Sequence, residues 1–338
     1  MKATFRRNLR RLFCGILIFC QLGAVTAYAK PDWPADTGIL AEAGVVMDID
    51  SGAVLFSQNG HVAYPPASIT KLLTALIVLE HAGLEETVTY SETAVNSVEA
   101  DSGNKLSLTA GDTLTVEECL YALLLVSSNQ TANALAEHVA GSISGFVDMM
   151  NEKLAELGCT ESHFDNPSGL NGDTQYVSAL DMARIAQAAY QNETLLAINS
   201  ADSYQIGPTI NNPDGASAVN EHRLVITEDP ANEYYCPAAK AGKTGYLLAA
   251  GNTLVTYGEQ DGKRLVSVIL KGSPRQYFLD GKNLLEFGFG NFQNMEISGN
   301  ETRYVTGQEP VDINGASYQP EQLAIVPGKV ITLPNTAA

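Results

Sequence analysis

Strand-like runs lie at both ends of the apolar part of this chain, with helix-like runs between them, and this order restricts the possible folds. Residues 44–49 and 53–57 are rich in Val, Ile, Leu and Phe and flank the turn 50–52, a pattern typical of a hairpin. After residue 235 the pattern becomes strand-like again, with runs at 254–257 and 264–270. Helical periodicity predicts helices over 72–81, 116–126, 131–139, 146–157 and 179–190. We expect an α/β (α+β) fold, with one antiparallel sheet built from both chain ends and a helical subdomain packed on it.

The first 29 residues have the composition of an export signal. Five basic residues and no acidic residue precede an apolar stretch over 12–25, and Ala27-Tyr28-Ala29 follows it. Signal peptidases read this order of basic, apolar and small residues. The apolar stretch is shorter than the ~20 residues that a membrane-spanning helix needs. We expect a Sec-type signal peptide over 1–29, cleaved after Ala29, and a protein that acts outside the cytoplasm, in the cell wall or periplasm.

Acidic residues dominate the rest of the chain. The 338 residues carry a net charge of −18, and without the five basic residues of the expected signal this becomes about −23. Nucleic-acid binders present a basic patch, so we expect no nucleic-acid partner. General adhesion to anionic lipid is excluded on the same ground. The last residues, 333–338, show no amphipathic helix, so we see no C-terminal membrane anchor.

Cysteine usage points to no metal or redox chemistry. Beyond the expected signal the chain has Cys119, Cys159 and Cys236, widely spaced and without a C-x-x-C pair. We expect packed thiols, no metal site and no cofactor.

We expect a catalytic domain over 30–290, followed by a short β-like segment over 291–338.

Three short motifs carry residues suited to nucleophilic catalysis. In order they are Ser68-Ile69-Thr70-Lys71, Ser127-Ser128-Asn129 and Lys243-Thr244-Gly245. A serine hydroxyl becomes a good nucleophile when a base removes its proton. Residues i and i+3 share one helix face, so Lys71 would lie beside the Ser68 hydroxyl and act as that base. A second cation, Lys243, would help to keep Lys71 neutral.

The third motif suits an edge strand that binds substrate. Lys243 and Thr244 can bind a carboxylate, and Gly245 allows an acyl group to approach closely. The backbone N–H groups of Ser68 and Tyr246 could then form an oxyanion hole.

Two chance copies of these motifs need to be separated from the candidates. Ser102-Gly103-Asn104-Lys105 repeats the Ser-x-x-Lys spacing, and 57–59 repeats Ser-x-Asn. The 102–105 copy lies among polar turn residues with no apolar helix behind it, so we expect a loop there. For 68–71 the simplest alternative is a helix cap with a surface lysine. The order and spacing of all three candidate motifs together favour a catalytic site over that alternative.

Taken together, the motifs and their flanking residues resemble those of the low-molecular-weight D-alanyl-D-alanine carboxypeptidases, serine peptidases among the penicillin-binding proteins. The resemblance runs from about residue 41 to 289. The similar segments are 66–71, 106–112, 123–129, 163–170, 241–246 and 250–255. It implies a β-lactamase/transpeptidase-like fold and removal of the terminal D-alanine from peptidoglycan stem pentapeptides. The partners it implies are a stem peptide ending in D-Ala-D-Ala and β-lactams as covalent inhibitors.

Residue by residue, the resemblance assigns roles. It makes Ser68 the acylated nucleophile and Lys71 the general base. Ser127 would pass a proton to the leaving D-alanine, and Asn129 would hold the substrate peptide. Lys243 and Thr244 would bind the terminal carboxylate. Arg223 and Arg275 lie near positions where the family carries arginines. For both, a surface ion pair is an equally good interpretation.

Three other functions remain open at this point. A DD-endopeptidase would cut cross-links with the same residues, and a non-catalytic wall-binding homologue would need none of them. A class A-like β-lactamase would need a Glu-x-x-Leu-Asn pattern soon after Ser-x-Asn. The nearest similar stretch, 193–199, is too long and too distant, so we expect slow β-lactam hydrolysis. The chain also departs from the family at Gln130, often acidic there, and at 175–178, often His-Tyr-Ser.

Overall fold

The computed structural model describes residues 33–35, 37–99, 102–296, 311–313, 316–318 and 328–337. The expected signal peptide over 1–29 lies outside these residues. The strands are β1 Ala43–Asp48, β2 Val54–Gln58, β3 Ala63–Tyr64, β4 Thr87–Thr89, β5 Thr113–Thr115, β6 Val177–Ser178, β7 Ser203–Ile206, β8 Ala216–Val219, β9 Ala239–Leu247, β10 Gly251–Gln260, β11 Lys263–Gly272, β12 Phe292–Glu296, β13 Val311–Ile313, β14 Ala316–Tyr318 and β15 Val330–Pro334. The α-helices are α1 Lys71–His81, α2 Glu92–Asn96, α3 Val116–Leu124, α4 Asn129–Ala140, α5 Ile143–Glu156, α6 Ala179–Gln191, α7 Glu193–Asn199, α8 Arg223–Ile226 and α9 Gln276–Asn291.

A five-stranded antiparallel sheet joins the two ends of the folded chain. Its order is β2-β1-β11-β10-β9, and the pairing of β1 with β11 sets Ala43 opposite Leu270 and Asp48 opposite Leu265. The sheet predicted from the strand-like runs at both chain ends is confirmed. Strand β9, which carries the Lys-Thr-Gly motif, lies at one edge of this sheet, as expected.

Helices cover both faces of the sheet. Helix α6 packs on β1, β10 and β11 from one side, and α9 packs on β1, β2, β10 and β11 from the other. Successive side chains of a strand point to opposite faces. In β1, Val45 and Met47 therefore join the core that contains α1 and α6, while Val46 joins the core beneath α9. Covering on both faces explains why all six residues of β1 are buried.

Helix α1 lies at the centre of the helical subdomain. It contacts α3, α4, α5 and α6, and its residues from Lys71 to Val78 are buried. The run 72–81 is too apolar for a surface helix, and this position explains its composition. An apolar sequence here also leaves Lys71, at the first position of the helix, as an amine surrounded by protein.

Helix α9 contradicts the expectation that the chain is strand-like throughout after residue 235. Its glycines lower helix propensity and hide the helical pattern. The packing explains these glycines, since a Cβ on Gly281 would lie 2.8 Å from Leu254 Cδ2 and one on Gly288 would lie 2.5 Å from Leu265 Cδ1. Glycine lets the helix lie close against the sheet, and the sequence signal for helix is lost as a result.

Strands β12 and β15 dock on the β1–β2 turn. Strand β12 pairs with β15, with Phe292 opposite Pro334. The Asn294 amide donates to Asp48 Oδ2 at 2.9 Å, and the hydroxyls of Ser51 and Thr332 lie 2.6 Å apart. The division of the chain at 290/291 stays a prediction.

Among the helices of the described ranges, none combines the length and the apolar character needed to span a bilayer.

Candidate active site

Ser68 lies in a 3₁₀ turn, Ala67–Thr70, that leads directly into α1. Ala67 adopts a left-handed φ of 53°, uncommon for a residue with a side chain. Its carbonyl accepts a hydrogen bond from Thr70 Oγ1 at 2.9 Å, and the Pro66 carbonyl accepts one from Thr253 Oγ1 at 2.9 Å. Gly169 packs so closely that a Cβ there would overlap the Ala67 carbonyl oxygen. Contacts from two distant segments, at Gly169 and Thr253, thus hold the turn that presents Ser68.

Lys71 is fully buried and lies beside the Ser68 hydroxyl. Its Nζ is 3.0 Å from Ser68 Oγ, 2.8 Å from Asn129 Oδ1 and 2.5 Å from the Ser168 carbonyl oxygen. A neutral amine has two N–H donors and one lone pair. The two carbonyl-type oxygens can accept both N–H groups, which leaves the lone pair free to accept the Ser68 proton. The i, i+3 pairing predicted from the sequence is confirmed.

The surroundings favour the neutral form of Lys71. Burial lowers the pKa of its ammonium well below the usual range, and the nearby charges of Lys243 and Lys105 lower it further. Glu221 acts in the opposite direction on the same pKa. The sequence-based expectation that Lys243 helps to keep Lys71 neutral agrees with this balance.

Lys243 is a second buried lysine, on strand β9. Only 1% of its surface is exposed, and burial lowers the pKa of its ammonium to about 8, with Lys105 acting in the same direction and Glu221 against it. Its Nζ donates to the Thr244 carbonyl at 3.0 Å. At neutral pH Lys243 is therefore mostly charged, which suits a carboxylate ligand.

Gly245 brings β9 against the turn that carries Ser68. A Cβ at this position would lie 2.8 Å from the Ser68 backbone nitrogen and would overlap the Thr253 hydroxyl. The absence of a side chain lets the β9 backbone approach the Ser68 N–H group closely. The next residue, Tyr246, is 62% exposed.

The Ser127 motif lies in the short connection between α3 and α4. Ser128 caps α4, since its hydroxyl accepts the Thr131 N–H, and its own N–H donates to the Ala122 carbonyl at 3.0 Å. Ser127 has a left-handed φ of 63°, a strained conformation often found at functional sites. This loop geometry presents Ser127 to the same space as Ser68.

These elements enclose one cleft of about 420 Å³. Its lining residues are Ser68, Glu99, Ser102, Lys105, Ser127, Asn129, Leu170, Glu221, Thr244, Gly245, Tyr246, Leu247, Leu248 and Tyr277. Of the eight sequence-predicted site residues, six line this cleft, and Lys71 and Lys243 are buried next to it.

Other sequence expectations had mixed outcomes. The guanidinium of Arg223 lies 5.2 Å from the centre of the Tyr234 ring, and Arg275 precedes α9 with a left-handed φ of 65°; neither lines the cleft. The 102–105 copy is not part of an α-helix, as expected, yet Ser102 and Lys105 reach the cleft.

Sequence reasoning missed some contributors and judged the cysteines correctly. It missed Glu221, Tyr277 and the Ser168 carbonyl. Of these, only the Ser168 carbonyl lies in a segment, 163–170, that resembles the family.

Cys119, Cys159 and Cys236 are buried free thiols. Burial raises the pKa of Cys119 and of Cys159 to about 12, which leaves both thiols protonated.

Comparison with known proteins agrees with this geometry. The family model described as D-alanyl-D-alanine carboxypeptidase matches residues 28–273. The D-alanyl-D-alanine carboxypeptidase DacB2 of Mycobacterium tuberculosis is 34% identical over 265 residues, which cover 77% of this chain and 84% of the relative. The crystal structure of a D-alanyl-D-alanine carboxypeptidase from M. tuberculosis H37Rv superposes with a TM-score of 0.67 at 32% identity, over 78% of this chain and 95% of that one.

A more distant structure shares the fold. Penicillin-binding protein 6B of Escherichia coli superposes with a TM-score of 0.71 at 24% identity, over 90% of this chain and 87% of that one. The β-lactamase/transpeptidase-like sheet and the serine-lysine site place the protein among the penicillin-binding serine peptidases. Within that class, the chain belongs to the D-alanyl-D-alanine carboxypeptidase family.

Proposed function

We propose that this protein removes the terminal D-alanine from peptidoglycan stem pentapeptides through an acyl-enzyme on Ser68. The observation that carries the proposal is the contact of Ser68 Oγ with a fully buried lysine amine, 3.0 Å away. Burial and neighbouring cations lower the pKa of Lys71, which favours the neutral amine that a general base requires.

In the first step the Ser68 oxygen attacks the carbonyl carbon of the D-Ala-D-Ala amide while its proton passes to Lys71 Nζ. The carbonyl oxygen becomes negative, and the N–H groups of Ser68 and Tyr246 stabilise it. The C–N bond then breaks, and Ser127 relays the proton from Lys71 to the departing amine of D-alanine. Water next attacks the ester on Ser68 while Lys71 Nζ takes its proton; the C–O bond to Ser68 then breaks, the proton returns from Lys71 to Ser68 Oγ, and the shortened peptide leaves.

Substrate orientation follows from the groups along β9. Lys243 and Thr244 bind the terminal carboxylate, and Asn129 holds the peptide beside the nucleophile. Gly245 leaves room for the acyl group against the Ser68 backbone. Since the substrate belongs to the cell wall and residues 1–29 have the pattern of an export signal, we place this reaction outside the cytoplasm.

β-Lactams are expected to acylate Ser68 and to leave slowly. The carboxylates that line the described cleft are both occupied: Glu99 accepts hydrogen bonds from Asn171, and Glu221 is paired with Lys105. Neither begins the Glu-x-x-Leu-Asn pattern that a class A-like β-lactamase would need to activate a water for rapid release of the penicilloyl group, which supports a carboxypeptidase.

Two measurements test this function. The mature protein, incubated with a fluorescent penicillin and run on a denaturing gel, should give a labelled band that Ser68→Ala lacks. It should also release D-alanine from a stem pentapeptide. An unlabelled wild-type protein that releases no D-alanine would contradict the proposal and favour the non-catalytic wall-binding alternative.

A further inference from the structure

The cleft has a charged end and an apolar end along β9. Glu221 precedes His222, and His222 packs so tightly on β9 that a Cβ on Gly242 would lie 2.5 Å from its imidazole. Glu221 is thereby fixed at the Gly242 end of the strand. At the opposite end Tyr246 and Leu248 expose 62% and 91% of their surface.

The nucleophile divides these two ends. Ser68 lies against Gly245, and three residues of strand, roughly 10 Å, separate Gly245 from Gly242. In the proposed function the terminal carboxylate of the substrate binds at Lys243 and Thr244. The leaving residue therefore extends from Ser68 towards the Glu221 end of the cleft.

An ion pair spans that end. Lys105 Nζ lies 2.5 Å from Glu221 Oε1, and both side chains line the cleft. The two residues come from different walls, because Lys105 belongs to the loop before β5 and Glu221 to the connection before α8. Their charges reach the catalytic lysines, since both act on the pKa values of Lys71 and Lys243.

Hydrogen bonds anchor the loop that carries Lys105. Asn104 Oδ1 accepts the Leu108 N–H at 3.0 Å, and Gln130 Nε2 donates to the Gly103 carbonyl at 3.2 Å. Two side chains from the β7–β8 connection hold the loop from outside, as Asn211 and Asn212 donate to its carbonyls at 2.8 and 2.7 Å. The backbone is thus held on both sides, and a longer ligand has to displace the Lys105 side chain itself.

We propose that the Lys105–Glu221 pair closes the leaving-group end of the cleft and selects a single terminal D-amino acid over a leaving residue that continues into a second peptide. This inference rests on the proposed function and makes the protein a carboxypeptidase in preference to an endopeptidase. The pair is half exposed, with side-chain exposures of 52% and 40%, so a longer leaving group can displace it at a modest cost.

The test compares kcat/KM on a pentapeptide with kcat/KM on a cross-linked dimer of stem peptides. The double variant Lys105→Ala/Glu221→Ala removes the closure without changing the net charge. Its ratio of dimer to pentapeptide cleavage should rise about twofold to fivefold, the upper part of the range that an exposed ion pair supplies. The reversed double variant Lys105→Glu/Glu221→Lys restores a pair and should keep the wild-type ratio.

A matched control is the ion pair Lys282–Glu286 on α9, which does not line the cleft and whose replacement by two alanines should leave the ratio unchanged. An unchanged ratio in Lys105→Ala/Glu221→Ala overturns the inference, and so does an equal rise in the reversed double variant. Both results presuppose D-alanine release by the wild-type protein. Failure of that release would refute the proposed function instead, so the two failures are distinguishable.

Discussion

Replacement of Gly245 by alanine tests whether close contact between β9 and the Ser68 turn is needed for acylation. The new Cβ would lie 2.8 Å from the Ser68 nitrogen, where ordinary contacts begin at 3.4 Å, so one side has to move by roughly 0.6 Å. The Thr253 hydroxyl, which the Cβ would also overlap, is held by its bond to the Pro66 carbonyl. The strain is therefore expected to move the strand or the turn itself.

That displacement is large compared with the tolerance of an oxyanion hole. Its donors must lie about 2.7–3.1 Å from the developing negative oxygen. Misplacement by about 1 Å costs on the order of 100-fold in rate. For a shift of roughly 0.6 Å we expect the second-order rate of acylation by a fluorescent penicillin to fall about tenfold to a hundredfold.

The assay is the time course of labelling on a denaturing gel, with Tm recorded for each variant. Gly290→Ala is the matched control, because its Cβ would meet nothing within 4 Å, and it should label at the wild-type rate. Labelling of Gly245→Ala within twofold of wild type, at unchanged Tm, would refute the reasoning. That result would mean that the site tolerates the added methyl group without loss of alignment.

Two further predictions concern the lysines. Lys71→Met keeps most of the buried volume but removes the base, so labelling of Ser68 should slow by about 100-fold to 10,000-fold; a loss below tenfold would assign the base to another group. The pKa of Lys243 is about 8, so its charge is lost as pH rises through that value and KM for the pentapeptide should increase above pH 8. Lys243→Arg should move this increase to higher pH, and a KM that stays flat to pH 10 in the wild type would count against Lys243 as the carboxylate ligand.

Local periodicity was sufficient to predict the sheet and most of the helices. The hairpin at 44–57 and the runs after 254 have the composition of buried strands, and the Ser68–Lys71 pairing follows from helix geometry alone. The structure starts α5 at Ile143, earlier than the predicted 146, because Ser142 caps it through the Gly145 N–H. Tertiary packing hid α9, in which Gly281 and Gly288 serve contact with the sheet and not helix formation.

The missed parts of the site share a different cause. The Ser168 carbonyl meets Lys71 across 97 positions of sequence, and Lys105 meets Glu221 across 116. Neither contact has a periodic signature, since a backbone carbonyl is common to all residues and exposed charges occur throughout an acidic chain. Such contacts become visible only when the fold brings the two segments together.

Three lysines lie in or beside one cleft of this acidic protein, and the proposed mechanism needs a neutral Lys71 and a charged Lys243. Lys71 and Lys243 are both buried; Lys243 and Lys105 lower the pKa of Lys71, and Lys105 also lowers that of Lys243. Glu221 opposes this effect on both lysines and pairs directly with Lys105. Burial and the charges of Lys243 and Lys105 favour a neutral Lys71, whereas Glu221 helps Lys243, with a pKa of about 8, to keep its charge near neutral pH. The Lys105–Glu221 pair thus has two effects. It limits the size of the leaving group, and it influences the charges of Lys71 and Lys243 on which the proposed mechanism depends.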